Sequence, residues 1–164
     1  MSVGSLLILD ACVLIDYLDA DESVLAEIAR HLGCVHVAAT VLEEVNGLDE
    51  SRAAELGLRV VEPSLELLAE AAVRRGGLSF QDHVCLLLAK QEGWICVTSD
   101  GALRKACVDD GVQVLWGLEP IALLVERGHM AADVAVEVAG RIAAVNPYVT
   151  GEIVLRFVKR VRGS

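Results

Sequence analysis

Four consecutive apolar residues, Leu6-Leu7-Ile8-Leu9, run directly into Asp10. A run this short, with no polar alternation, fits a strand buried on both faces, as in parallel sheets. The acid at its end must then find partners, because a carboxylate cannot be buried alone at low cost. Similar apolar runs recur at 35–38, 58–61, 94–98 and 112–116. Helical patterns separate them, at 12–18, 22–32, 40–48, 50–56, 64–74, 79–92 and 101–109. Thr40 and Ser79 are placed as N-caps, and Pro63-Ser64 opens the helix that Gly76-Gly77 ends. Gly33, Gly93 and Gly111 are placed as helix stops. Strand and helix in alternation predict an α/β chain: a central, mainly parallel sheet with helices on both faces, three layers in all.

From residue 118 the pattern is helical only, at 118–127, 131–144 and 150–161, with Pro147 between the last two. The 164 residues are the size of one domain. A chain of this size buries roughly 70% of its unfolded surface and needs no staples. Hydrophobic residues make up 54% and charged residues 23%, which excludes a disordered chain. No window reaches the ~18 uninterrupted apolar residues of a spanning helix. Met1-Ser2-Val3-Gly4 lacks the basic region that opens a secretory leader, so none is expected. The five cysteines (Cys12, Cys34, Cys85, Cys96, Cys107) cannot all pair within one chain and form no C-x-x-C unit. They are read as buried free thiols of a cytoplasmic protein.

Ligands of open α/β sheets bind outside the carboxyl ends of the strands. Asp10 ends the first strand there, and strand 94–98 runs into Ser99-Asp100. Glu43 and Glu44 follow the second strand, and Asp82 lies in the first turn of the helix that Ser79 opens. These acids reach the same edge, where they repel one another unless cations compensate. Hard divalent cations such as Mg²⁺ or Mn²⁺ take carboxylate oxygen. Each acid also has a purely structural role open to it. Asp10 and Asp100 would serve as N-caps, Asp82 as the third residue of a capping box, and the glutamates as a solvated face. His83 is excluded as a base, since one helical step turns it ~100° from Asp82.

The net charge is −10, with 24 acids against 14 bases, which argues against a non-specific nucleic-acid binder. An enzyme acting on nucleic acid through divalent metal remains open, because bound metals invert the local field. Phosphate contacts would have to come from local bases. The candidates are Arg104 and Lys105, then Arg74 and Arg75, together with the basic stretch Arg156, Lys159, Arg160 and Arg162. That stretch would bind RNA, meet an acidic surface on a partner chain, or be a disordered end.

The motifs resemble those of PIN domains. Leu6-Leu7-Ile8-Leu9-Asp10-Ala11-Cys12-Val13-Leu14-Ile15 is similar to their first motif, and Thr40-Val41-Leu42-Glu43-Glu44-Val45 to their second. Leu78-Ser79-Phe80-Gln81-Asp82-His83 looks like the third. Val97-Thr98-Ser99-Asp100, with Ala102-Leu103-Arg104-Lys105-Ala106 and Gly111-Val112, looks like the fourth. The resemblance implies a PIN-like domain over 1–125 and a helical extension over 126–164 packed on it. It implies a VapC-like ribonuclease dependent on Mg²⁺ or Mn²⁺, with Asp10, Glu44, Asp82 and Asp100 as catalytic metal ligands. Glu43 remains the alternative to Glu44. Thr98 and Cys12 would stand behind the ligands, Cys12 where the family often has Ser, Thr or Asn. Arg104 and Lys105 would bind phosphate. The implied partners are an RNA substrate and an antitoxin protein; a second copy of the chain is expected from its apolar composition, and no membrane from its hydropathy. Two other readings stand beside it: a non-catalytic PIN-like interaction module, and phosphoryl transfer onto the first-strand aspartate. The latter is disfavoured because Asp10-Ala11-Cys12 lacks a second acid.

Overall fold

The computed structural model describes residues 4–163. Residues 1–3, on which most of the leader expectation rests, lie outside the described part. Five strands form one sheet: β1 (Ser5–Leu9), β2 (Gly33–Ala38), β3 (Leu58–Val61), β4 (Ile95–Thr98) and β5 (Val114–Trp116). Their order is β3-β2-β1-β4-β5, and every pairing is parallel. Successive residues of a strand face opposite sides of the sheet. Leu7, Ile8 and Leu9 are nevertheless all fully buried, so both faces of β1 are covered.

The strand order explains how. The chain steps from β1 outward through β2 to β3, then returns to β4 on the other side of β1 and continues to β5. Right-handed crossovers in opposite directions place their helices on opposite faces. The first group comprises α1 (Ala11–Asp21), α2 (Ser23–His31), α3 (Ala39–Leu42) and α4 (Glu50–Glu55). The second comprises α5 (Leu65–Ala71), α6 (Phe80–Glu92) and α7 (Gly101–Asp109). Helix α6 is buried at every position from His83 to Ala89 and packs on β1, β4, α5 and α7. The reversal of direction lies between β1 and β4, which are neighbours in register with Leu9 opposite Val97. That is the switch point at which such sheets open a crevice.

The last three helices are α8 (Glu119–Glu126), α9 (Ala132–Val145) and α10 (Gly151–Arg162). Helix α9 packs on α1, and α10 packs on α8 and α9. No helix of the described residues is long and apolar enough to cross a membrane.

Several local expectations need correction. The helix expected over 40–48 stops at Leu42. Ala38, not Thr40, stands at its N-cap without a side-chain bond, and residues 43–48 form turns around Gly47 at φ +76°. The helix expected over 64–74 stops at Ala71. Gly33 opens β2 instead of closing α2, whose C-cap is Leu32. The requirement for glycine there is steric: a Cβ at Gly33 would lie 1.9 Å from the Ser5 carbonyl oxygen on the paired strand. All five cysteines are free thiols, but Cys12 is exposed and Cys34 half-buried, so only Cys85, Cys96 and Cys107 are core residues.

Candidate active site at the carboxyl edge of the sheet

Asp10 leaves β1 in an extended conformation and caps α1. It is 1% exposed. Its Oδ1 accepts from the Val13 amide at 2.8 Å, and its Oδ2 accepts from the Thr98 hydroxyl. The Asp10 amide donates to the Val97 carbonyl at 3.2 Å, which extends the β1–β4 pairing past the end of the strand. Burial pushes the Asp10 carboxyl up to about 7, and the charges of Asp82 and Asp100 push in the same direction. The bonds from Thr98 and Val13 oppose the rise without cancelling it.

Asp100 caps α7, its Oδ1 accepting from the amides of Ala102 at 2.7 Å and Leu103 at 3.0 Å. Its own amide donates to the Thr98 Oγ1 at 3.0 Å. Thr98, fully buried, therefore links the two acids: it donates to Asp10 and accepts from Asp100. Asp82 enters through the turn that Ser79 caps, with the Asp82 amide donating to the Ser79 Oγ at 3.1 Å. Burial raises its carboxyl, and Asp100 and Glu44 add to the rise. Glu44 is thus within electrostatic reach of Asp82. Glu43 and Glu44 are both exposed on the turn after α3. The Cys12 thiol is pushed up to about 11, first by partial burial and then by Asp10, Asp82, Asp16 and Asp100. It is a neutral thiol at physiological pH, not a nucleophile.

The purely structural reading and the functional one coincide at Asp10 and Asp100, since both cap helices and both remain at the acidic edge. The donor set is carboxylate oxygen, the chemistry that suits a hard divalent cation. Two buried polar atoms without a hydrogen-bond partner, Thr40 Oγ1 and Gln81 Oε1, belong to the segments that carry Glu44 and Asp82. Orphaned oxygens of this kind call for water or an ion. The residues fit such a cation by chemistry. As they stand, no group of three or more His, Cys, Asp or Glu among the described residues is close enough together to hold a metal ion.

The basic candidates divide. Arg104 lies over the Trp116 ring with its guanidinium carbon 4.4 Å from the centroid, a cation–π contact. Lys105 pairs with Asp109 at 2.7 Å on the exposed side of α7. Arg75 donates twice to Asp110, at 2.6 and 2.8 Å. Arg74 is exposed. The basic C-terminal stretch is an ordered helix, with Arg160 on Glu126 at 2.6 Å and Arg162 on Asp133 at 3.2 Å. His83, as expected, takes no part in the acidic edge. It is buried and its Nδ1 donates to the Ala71 carbonyl at 3.1 Å.

Two supports of the site have no local signal in the sequence. Tyr17, fully buried, donates its hydroxyl to the Gly117 carbonyl at 2.5 Å across 100 residues. A Cβ at Gly117 would lie 2.5 Å from the Ser99 Oγ and 3.2 Å from Val13 Cγ2, so the segment after β5 passes close to two neighbours of the acids. Asn146, after α9, donates to the buried Asp16 carboxylate of α1 at 2.8 Å. Only a hydrophobic pattern with polar exceptions at 16 and 146 hints at that pair.

No family model matches the chain, and no curated protein matches it either. Among solved structures, the chain is similar to a PilT N-terminus domain protein from the hyperthermophilic archaeon Sulfolobus solfataricus P2. The TM-score is 0.55 at 13% sequence identity, over 76% of this chain and 98% of that one. About a quarter of the chain is thus additional to that relative. At this identity the likeness speaks to architecture alone: the chain has a PIN-like fold, an all-parallel five-stranded α/β sheet with a helical C-terminal region.

Proposed function

We propose that the chain is an endoribonuclease that depends on Mg²⁺ or Mn²⁺ and hydrolyses RNA phosphodiester bonds to 5′-phosphate and 3′-hydroxyl ends. One observation carries the reading. Asp10, Asp82 and Asp100, with Glu44 in reach, share the carboxyl edge at the β1–β4 switch point, and burial and mutual repulsion hold the Asp10 carboxyl at about 7. A fold does not specify a function, so the weight rests on these side chains and not on the likeness.

Asp10, Glu44, Asp82 and Asp100 would hold the cation. When bound, it would supply Lewis-acid polarisation of the phosphoryl oxygens and activation of water. Thr98 and the Val13 amide fix the Asp10 carboxylate, one on each oxygen. At neutral pH a carboxyl near 7 is about half protonated, so a cation held there would release about half a proton on average. Arg104, which lies over the Trp116 ring, would meet a substrate phosphate. Lys105 is a weaker candidate because Asp109 holds it. The toxin of a toxin–antitoxin pair, acting in the cytoplasm as a homodimer and restrained by an antitoxin protein, is the biological setting we propose.

A second reading has one observation in its favour. The acids are not drawn together to coordination distance, which suits a PIN-like module that binds a partner without catalysis. Mn²⁺ calorimetry on the wild type and Asp10→Asn, with RNA cleavage assayed on the same samples, separates the two. Binding lost in the variant, with metal-dependent cleavage by the wild type only, supports the nuclease. Absence of Mn²⁺ binding in the wild type removes the four-acid site and leaves the binding module.

A further inference from the structure

Beside the acidic edge lies a cavity of about 350 Å³, between the end of β5 and helix α10. Its walls are mostly carbon, from Trp116, Tyr148, Ile153 and Phe157. Ser99, which also lines it, stands in the chain between Thr98 and Asp100 and so joins the cavity to the acids. Trp116 and Tyr148 are 40% and 77% exposed. Together with the carbon walls they form a contiguous apolar patch rimmed by polar residues, the kind of surface that marks an interaction site.

The hollow is lined by two cations, Arg156 and Arg160, and one acid, Glu119, and Arg160 is held by Glu126 at 2.6 Å. Helix α10 carries Arg156, Lys159, Arg160 and Arg162 against one acid, Glu152, on a molecule of net charge −10. Arg156 lines the cavity. It pairs with Glu152 on the same exposed surface, a contact that an anion displaces at little cost. Arg104 over Trp116 adds a further cation. Aromatic rings interleaved with cations suit a planar ring tethered to an anion, which is what each nucleotide of a single strand presents. An apolar peptide side chain would use the carbon walls and leave the cations unused.

We propose that this cavity seats one base of single-stranded RNA next to the phosphate facing the acids, the ring stacking on Trp116 and Tyr148 and the backbone meeting Arg156. The proposal rests on the nuclease reading and names where its substrate is gripped. Single-stranded RNA is commonly read through splayed bases stacked on aromatic side chains. The C-terminal helix then contributes to substrate binding, not only to packing.

Intrinsic fluorescence tests this without turnover. The chain has two tryptophans. Trp94 is buried and stacked on His36 with centroids 3.9 Å apart, whereas Trp116 is in the cavity. The full-length Asp10→Asn protein, without metal, is titrated with a short oligouridylate and with an abasic strand of equal length. The expected result is saturable quenching by the oligouridylate and affinity for the abasic strand lower by about tenfold. Tyr148→Ala, at an exposed position, should weaken oligouridylate binding by about tenfold and leave the abasic strand unchanged. Equal affinity for the two strands, no saturable quenching, or indifference to Tyr148→Ala would each overturn the proposal. Cleavage by the wild type is read separately. Base-dependent quenching without cleavage retains the pocket and removes the nuclease; cleavage without quenching does the reverse.

Discussion

The hydroxyl of Thr98 donates to the carboxylate of Asp10 across the seam between β4 and β1, and accepts from the amide of Asp100. One side chain thus sets the spacing of two acids that arrive from different strands.

Replacing Thr98 by valine keeps the shape and removes both bonds. Asp10 loses a hydrogen bond that lowers its pKa, so its carboxyl should titrate above 7 in a carbon-detected NMR titration. The Asp100 amide loses its acceptor, and stability should fall by about 1–3 kcal/mol in urea melts. An unchanged Asp10 titration would show that the hydroxyl does not tune the acid.

Asp10 itself should destabilise the metal-free protein at high pH. Its folded pKa, about 7, lies above the ordinary value of 3.8, so the native state holds a proton that the unfolded chain gives up between those values. Its contribution is therefore most favourable below pH 4 and is lost as pH rises through 7. Asp10→Asn should be more stable than the wild type at pH 8, by about 2 kcal/mol, with the gap closing as pH falls. Thermal melts across pH 4–8 check the sign, and Mn²⁺ should raise the wild-type melt and not that of the variant.

Asp110 behaves in the opposite sense. The Arg75 guanidinium holds its carboxyl down to about 2, and the Asp110 side chain is 14% exposed. This contribution is present above pH 4 and is lost as pH falls toward 2. After allowance for solvent screening of Arg75, Asp110→Asn should cost about 1 kcal/mol at pH 7 and progressively less below pH 4. Urea midpoints at pH 7, 4 and 3 measure it.

Gly117→Ala should cost about 1–3 kcal/mol, because the new methyl meets Ser99 Oγ and Val13. Ser99→Ala removes the closer of those atoms. The double variant should therefore be more stable than the two single costs added together, a coupling that a double-mutant cycle reads directly.

The sequence was most legible where the physics is local. The apolar run before Asp10, the Ser79 cap and the left-handed Gly93 stop are each decided within a few residues, and each is found as expected. Thr40 misleads because the chain enters α3 straight from β2, and it turns away directly after Leu42. Arg75 has a partner that no local reading finds. Its partner Asp110 lies 35 residues away, and nothing near Arg75 announces it. The clustering of the acids could be inferred from strand order, but their separations could not, since these depend on how α6 and α7 seat against the sheet. The Tyr17–Gly117 and Asp16–Asn146 bonds span 100 and 130 residues and lie beyond any reading of periodicity.

The strand order also bears on how the molecule is made. β1 pairs with β2 early in the chain, but its other neighbour, β4, begins at Ile95, and the Thr98–Asp10 bond joins residues 88 apart. Until β4 leaves the ribosome, one edge of the most hydrophobic strand has no partner in the sheet, the condition in which strands pair with the wrong chain. Contacts this distant in sequence form slowly, because loop closure precedes their reward. The acidic edge is therefore a late product of folding. An N-terminal fragment ending before β4 would carry Asp10, Glu44 and Asp82 yet lack Thr98, Asp100 and the strand that brings them beside Asp10.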